Sequence, residues 1–184
     1  SAHEQRAARG SVALFDQSSF GKALITGPGA ESLLQRVCTA DVAVVPGRAV
    51  YTAMLNQRGG YEADVTVTRT GAEEFLLVTG AASIVRDIDW IRRHRAPLEH
   101  VSVVDVSAMY AVFAVMGPRS RDLLQSVSRS DLSSDAFPFA TSREIDLGHA
   151  LVRATRITYV GERGWELYVP VELAVDVYEL LVAE

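Results

Sequence analysis

The chain has 184 residues, a net charge of −5 and a pI near 5.4. That length suits one domain, or two small lobes sharing a core, and an apolar share of 48% with 22% charged residues excludes a disordered chain. The acidic balance argues against a nucleic-acid surface, which needs clustered Lys and Arg, and the single cysteine, Cys38, excludes an internal disulfide.

The histidines, His3, His94, His100 and His149, are scattered, none at HxxxH spacing, so no zinc centre is expected. No apolar run is long enough to span a bilayer. The N-terminus, Ser1 to Arg6, is polar and does not read as a signal peptide. A reducing, cytosol-like compartment is expected, or the mitochondrial matrix in a eukaryote, with neither a nucleic-acid nor a membrane partner.

From Phe20 the chain reads as an apolar strand, a Gly27-Pro28-Gly29 turn and a short amphipathic helix. Proline suits a first helical turn because its missing N–H would be unpaired there anyway. The turn is no phosphate loop, since it lacks the lysine-bearing pattern, and GxGxxG is absent. A hairpin follows, Tyr51 to Gln57 and Tyr61 to Thr68, joined at Arg58-Gly59-Gly60. If the turn centres on Arg58 and Gly59, Asp64 faces Ala53 and Thr66 faces Tyr51. Tyr51 and Asp64 then share a sheet face, with Ala63, Val65 and Val67 on the other. Asp64 reads either as a solvated residue on an outer face or, since Asp is poor in strand interiors, as part of a pocket for a polar heterocycle. A strand at 74–78 and a helix at about 81–94 close the first half. The run Ile91 to Arg95 reads as a solvated helix end, with a functional anion patch as the alternative.

The second half repeats the first with a shift of 90. Tyr110 to Leu132 matches Phe20 to Val42 without a gap, and Gly27/Gly117, Pro28/Pro118, Leu34/Leu124, Gln35/Gln125 and Asp41/Asp131 are identical pairs. Residues 128–142 read as a surface loop. A second hairpin runs from Arg153 to Val160 and from Trp165 to Val169. A four-residue turn, Gly161 to Gly164, would set Tyr159 opposite Glu166. That pair is either an ordinary cross-strand contact or a grip on a planar amidine-like edge, which one carboxylate can hold through two N–H bonds. The last helix, from about Glu172, reaches Glu184 without a cap, which reads as a cut edge of a longer chain. Each half is strand, helix, two or three strands, helix. The expected class is therefore α+β, as two pseudo-repeated strand-helix-strand lobes, 11–100 and 101–184, meeting at a pseudo-twofold axis within one domain.

LFDQSSFGK (Leu14 to Lys22), MLNQRGG (Met54 to Gly60) with Asp64, VMGPR (Val115 to Arg119) and TYVGERGWE (Thr158 to Glu166) resemble the folate-binding domain of the glycine-cleavage T-protein (aminomethyltransferase) family. The match covers nearly the whole chain, and the fold it implies is a duplicated, ferredoxin-like folate-binding domain. LFDQSSFGK and PFATSREIDLG (Pro138 to Gly148) are similar to one branch, the C-terminal region of dimethylglycine and sarcosine dehydrogenases. The T-protein pattern has two adjacent acids where this chain has Ala63-Asp64, and an asparagine near Gly80.

The resemblance implies tetrahydrofolate as the bound small molecule. It implies Asp64 as the catalytic carboxylate at the reacting folate nitrogens, and Glu166 as the grip on the pterin edge. Tyr51, Tyr159 and Val78 would line the ring pocket. It further implies an upstream flavin (FAD) oxidase or dehydrogenase domain in the parent chain as partner. That domain would oxidise an N-methyl amine, and the one-carbon unit would be taken up as 5,10-methylenetetrahydrofolate. A glycine-cleavage aminomethyltransferase with a lipoyl-protein partner, a non-enzymatic folate-binding relative and a sulfonium demethylase are the alternatives.

Overall fold

The computed structural model describes residues 2–184. The elements begin with α1 (Ala2–Gly10), β1 (Ala13–Asp16), β2 (Gly21–Thr26), α2 (Ala30–Val37), β3 (Ala49–Leu55), β4 (Tyr61–Gly71), β5 (Glu74–Thr79), α3 (Ile84–Arg93) and β6 (Ser102–Asp105). They continue with β7 (Tyr110–Met116), α4 (Ser120–Val127), β8 (Ser142–Leu147), β9 (Ala150–Thr155), β10 (Gly164–Pro170) and α5 (Ala174–Ala183). The class is α+β. Among the described residues no helix is long and apolar enough to cross a membrane.

The chain divides into two compact units, Phe20–Ser107 and a composite of Ser1–Ser19 with Ala108–Glu184. The 20–107 unit holds one antiparallel sheet, ordered β3-β4-β5-β2-β6. Its helices bury Leu33, Leu34 and Val37 of α2 and Ile88 and Ile91 of α3 against Ile25, Val65, Val67, Phe75 and Leu77. The composite unit holds the second sheet, ordered β1-β7-β10-β9-β8, with Leu124, Val177 and Leu181 of its helices over Phe113, Val115, Trp165 and Leu167. Because β1 pairs with β7 and β6 with β2, the units are bounded at 19/20 and 107/108 rather than at 100/101.

Corresponding corners carry corresponding bonds. Gly27 N–H donates to the Glu73 carbonyl and Gly117 N–H to that of Arg163. The Gln35 amide oxygen accepts from Val42 N–H, and that of Gln125 from Leu132 N–H. At both corners the glycine is obligatory. Gly27 has φ +118 and Gly117 φ +134, and an added Cβ would lie 2.5 Å from the His100 carbonyl oxygen or 2.3 Å from that of Ser11.

The structure departs from the sequence reading in three places. The helix α1 and strand β1 were not expected from the polar N-terminal stretch; only Ala8 of α1 is buried. The helix expected from residue 81 begins at Ile84, after a turn, and the one expected from 172 is preceded by a short 3-10 turn, Val171–Leu173. The second hairpin also differs, since β9 ends at Thr155 and residues 156–163 form an irregular loop.

A substitution series tests the glycine corners. Gly27→Ala and Gly117→Ala are each expected to cost about 2–4 kcal/mol, because positive-φ strain adds to a clash with rigid backbone. Gly59→Ala, with φ +76 and nothing within 4 Å of the new methyl, should cost only about 1–2 kcal/mol. Urea unfolding of the three variants measures this; a Gly59 variant as destabilised as the corner variants would refute the account.

Candidate functional site

In the 20–107 unit the candidate residues sit on the β3–β4 hairpin. Its turn is built by Asn56, whose side-chain oxygen accepts from Arg58 N–H at 3.0 Å and Gly60 N–H at 2.9 Å, while its amide donates to Glu62 Oε1 at 2.8 Å. This local bonding of a short polar side chain to nearby backbone pins a turn. The register is as the alternation requires: Ala53 opposes Asp64 and Tyr51 opposes Thr66, with a bulge where Leu55 opposes Tyr61. Ala63, Val65 and Val67 enter the core, and Asp64 is exposed.

The Tyr51 hydroxyl donates to Asp64 Oδ2 at 3.0 Å. The hydrogen bond to the carboxylate, and then its negative charge, push the Tyr51 phenol up to about 12. The phenol therefore keeps its proton at neutral pH and holds one carboxylate oxygen, leaving the acid open to water on its other side. The hairpin is also tied from α3. Arg86 donates to the Glu62 carbonyl at 2.6 Å and to Asp87, and the Thr79 hydroxyl donates to Asp87 Oδ2 at 2.6 Å. Val78 is 4% exposed, faces Thr66 across the β4–β5 ladder, and so lies in the same cross-strand row as Tyr51. That row ends at Lys22, opposite Val78, which is wholly buried.

In the composite unit Glu166 lies on the central strand β10, between Ala114 of β7 and Thr155 of β9, and is 1% exposed. Its Oε2 accepts the Tyr168 hydroxyl at 2.6 Å, whereas its Oε1 is buried without a donor among the described residues. Burial pushes the Glu166 carboxyl above the usual range, opposed in part by the Tyr168 bond. Burial and the neighbouring acid push Tyr168 well above its ordinary value. A carboxyl in this state is poised to gain from any N–H donor that reaches Oε1, because a buried unpaired acceptor carries its full desolvation cost.

Tyr159 does not oppose Glu166; Thr155 does. The ladder ends at Thr155, and two local features shape the loop on either side of Tyr159. The Thr158 hydroxyl accepts from Val160 N–H at 3.3 Å, closing a turn of its own, and Gly161 adopts φ +78. Tyr159 lies in this loop, 53% exposed. The aromatic partner of Glu166 is Tyr168, two residues further along the same strand face. That period-2 relation was visible in the sequence, whereas nothing in the pattern marked Lys22 as buried.

A family model described as the GCVT N-terminal domain matches residues 1–184. A 4-methylaminobutanoate oxidase (formaldehyde-forming) from Paenarthrobacter nicotinovorans is 38% identical over 98% of this chain and 22% of its own length. The mitochondrial sarcosine dehydrogenase of Homo sapiens is 37% identical over 96% of this chain and 21% of its own. The chain thus spans about a fifth of the length of these two relatives. The crystal structure of glycine cleavage system aminomethyltransferase T from Bartonella henselae superposes with a TM-score of 0.86 over 99% of this chain and 48% of that one; at 24% identity it shows the fold alone.

The Glu166 environment predicts a pH effect. Its folded pKa is raised above the unfolded value of about 4.3, so the folded state prefers the protonated form. The group's contribution to stability is complete below the unfolded pKa and is lost as pH rises through the folded one. Glu166→Gln cannot ionise. The stability difference between variant and parent should therefore move in favour of Gln as pH rises above the ordinary carboxylate range. Urea midpoints measured from pH 4 to 8 check this, and parallel curves would show that Glu166 titrates normally.

Proposed function

The chain belongs to the GCVT N-terminal domain family, and from that premise we propose that it is the tetrahydrofolate-binding part of an enzyme acting on N-methyl amines such as sarcosine or dimethylglycine. The observation that carries the reading is the orphaned, buried Oε1 of Glu166. A pterin edge carries adjacent N–H donors of the kind a carboxylate accepts in parallel, so this acceptor fits the ligand. Two relatives, a formaldehyde-forming oxidase and a sarcosine dehydrogenase, support the choice of donor class.

When bound, tetrahydrofolate would supply two nitrogens that condense with a formaldehyde-level carbon to a methylene bridge, releasing water. The carbon reaches that level by oxidation of the amine at a flavin, which we assign to another part of the parent protein. No oxidation step falls to this chain's residues.

The residues here hold and position. Glu166, fixed at Oε2 by Tyr168, presents Oε1 to the pterin N–H groups. Tyr51 orients Asp64, whose carboxylate accepts a proton released at a folate nitrogen and stabilises the cationic carbon. Val78 and Tyr159 are proposed as contacts to the ring system. The exposed setting of Asp64 suits proton exchange with water, and the buried setting of Glu166 suits tight binding.

Calorimetric titration with reduced folate tests the reading. The unsubstituted chain should bind, and Glu166→Gln should lose about 1.5–3 kcal/mol of binding, the range for a charge-assisted bond. Asp64→Asn should keep most of the affinity but lose about 10²-fold in the rate of methylenetetrahydrofolate formation from added formaldehyde, measured above the uncatalysed condensation. Unchanged affinity in the Glu166 variant would overturn the role given to that residue. An intact rate in the Asp64 variant would leave the domain a passive folate holder.

A further inference from the structure

The composite unit carries a second group of charges that the folate reading does not use. Arg121 stands in the first turn of α4, Arg156 follows β9 and Arg163 precedes β10. None of the three forms an ion pair among the described residues. Arg121 Nη2 donates to Ser134 Oγ at 2.7 Å, and Arg156 Nη2 reaches the same oxygen at 3.4 Å. Ser134 is exposed, on the loop between α4 and β8. One hydroxyl is thus the shared acceptor of two guanidinium groups, and the second bond is at the long limit of hydrogen bonding.

Three further observations show that this charge is not taken up in a direct ion pair. Arg121 Nε is buried with no acceptor among the described residues. The Arg156 pKa is lowered, first by burial and then by the positive charges of Arg121 and Arg163. The carboxylate that feels Arg121, Asp131, is turned to the Ser133 N–H at 2.8 Å. Arg156 Nη1 donates to the Phe137 carbonyl at 2.6 Å, with the guanidinium over the Trp165 ring. Trp165 and Glu166 are neighbours on a strand and point to opposite faces of the sheet. The arginine group therefore lies on the side of β10 away from the Glu166 carboxyl.

We propose that Arg121 and Arg156, which share the Ser134 hydroxyl, bind a phosphate-type oxyanion, with the nearby positive charge of Arg163 adding to the attraction. A guanidinium presents paired donors suited to phosphate oxygens. Several such groups match a dianion with three or four acceptors better than a single carboxylate. The anion would take the bond now made to Ser134 by Arg121, satisfy Arg121 Nε, and relieve the repulsion among the three cations. The ligand class is a phosphate-bearing small molecule, and the site is independent of folate binding.

Inorganic phosphate is the probe, titrated into the 184-residue chain by calorimetry, with acetate and chloride at equal ionic strength as comparisons. Saturable binding of phosphate is expected, with acetate at least about tenfold weaker. Arg121→Gln should weaken phosphate binding about tenfold or more, the scale of one lost charge-assisted bond. Arg163→Gln, at an exposed position whose hydrogen bonds are made by its backbone carbonyl alone, should weaken it while leaving the thermal midpoint unchanged, and it carries the test if the Arg121 variant fails to fold. Ser134→Glu places a carboxylate among the arginines and should suppress phosphate binding. The proposal is overturned if phosphate binds no better than acetate, if Arg163→Gln binds as well as the parent, or if Ser134→Glu leaves the affinity intact.

Discussion

The constraint on which each unit depends is the close approach of backbone to backbone at its glycine corner. In both units a central strand must turn into a helix while the carbonyl preceding an edge strand passes directly above the turn. Gly27 N–H is bonded to one loop carbonyl and Gly29 N–H to the His100 carbonyl; the equivalent bonds in the composite unit run from Gly117 to Arg163 and from Arg119 to Ser11. A side chain at either glycine would occupy the space of that edge-strand carbonyl. The fifth strand of each sheet, β6 in one and β1 in the other, is therefore admitted only because the corner residue has no Cβ. Without it, the central strands β2 and β7 would each lose one ladder of backbone bonds, and a buried unpaired backbone group is costly.

The central strands in turn determine what the candidate residues experience. Glu166 is buried because β10 is flanked on both sides, by β7 and β9. Asp64 is exposed because it lies near the open end of the β3–β4 ladder, where β4 pairs with β5 only from Thr66 onward. The same side-chain chemistry thus meets two environments. Burial raises the pKa of Glu166 and makes it an acceptor that a ligand can satisfy. The Tyr51 phenol donates to the Asp64 carboxylate and is itself pushed up to about 12 by that bond and charge. Environment, more than residue type, separates the buried acid from the exposed one.

The sequence was most legible where one period governed a segment. The β3–β4 register followed from strict alternation and a glycine pair, and Tyr51 and Asp64 met as expected. It was less legible where side chains compete with the ladder. Thr158 and Gly161 redirect the loop that holds Tyr159, and a fixed turn length assumed for that segment placed the wrong residue opposite Glu166. The helix α1 was missed because its sequence is polar and buries only Ala8, so no apolar stripe marks it. Lys22 lies beyond such reasoning altogether, because a lysine in a strand is expected at the surface, yet this one is wholly buried.

The two tyrosines bonded to carboxylates show how much follows from exposure. Tyr51 is 60% exposed and its bond to Asp64 competes with water, so the bond orients the acid more than it stabilises the fold. Tyr168 is 3% exposed, and its hydroxyl has no water to fall back on. Its bond to Glu166 satisfies two buried groups at once, and losing it would leave both wanting. Glu166 then has one oxygen fixed by the fold and one left over. A protein selected for stability alone would have placed an apolar residue there, since a half-satisfied buried polar pair is worse than a packed core. That an unpartnered acceptor is retained on the central strand is the physical argument that its partner comes from outside the chain.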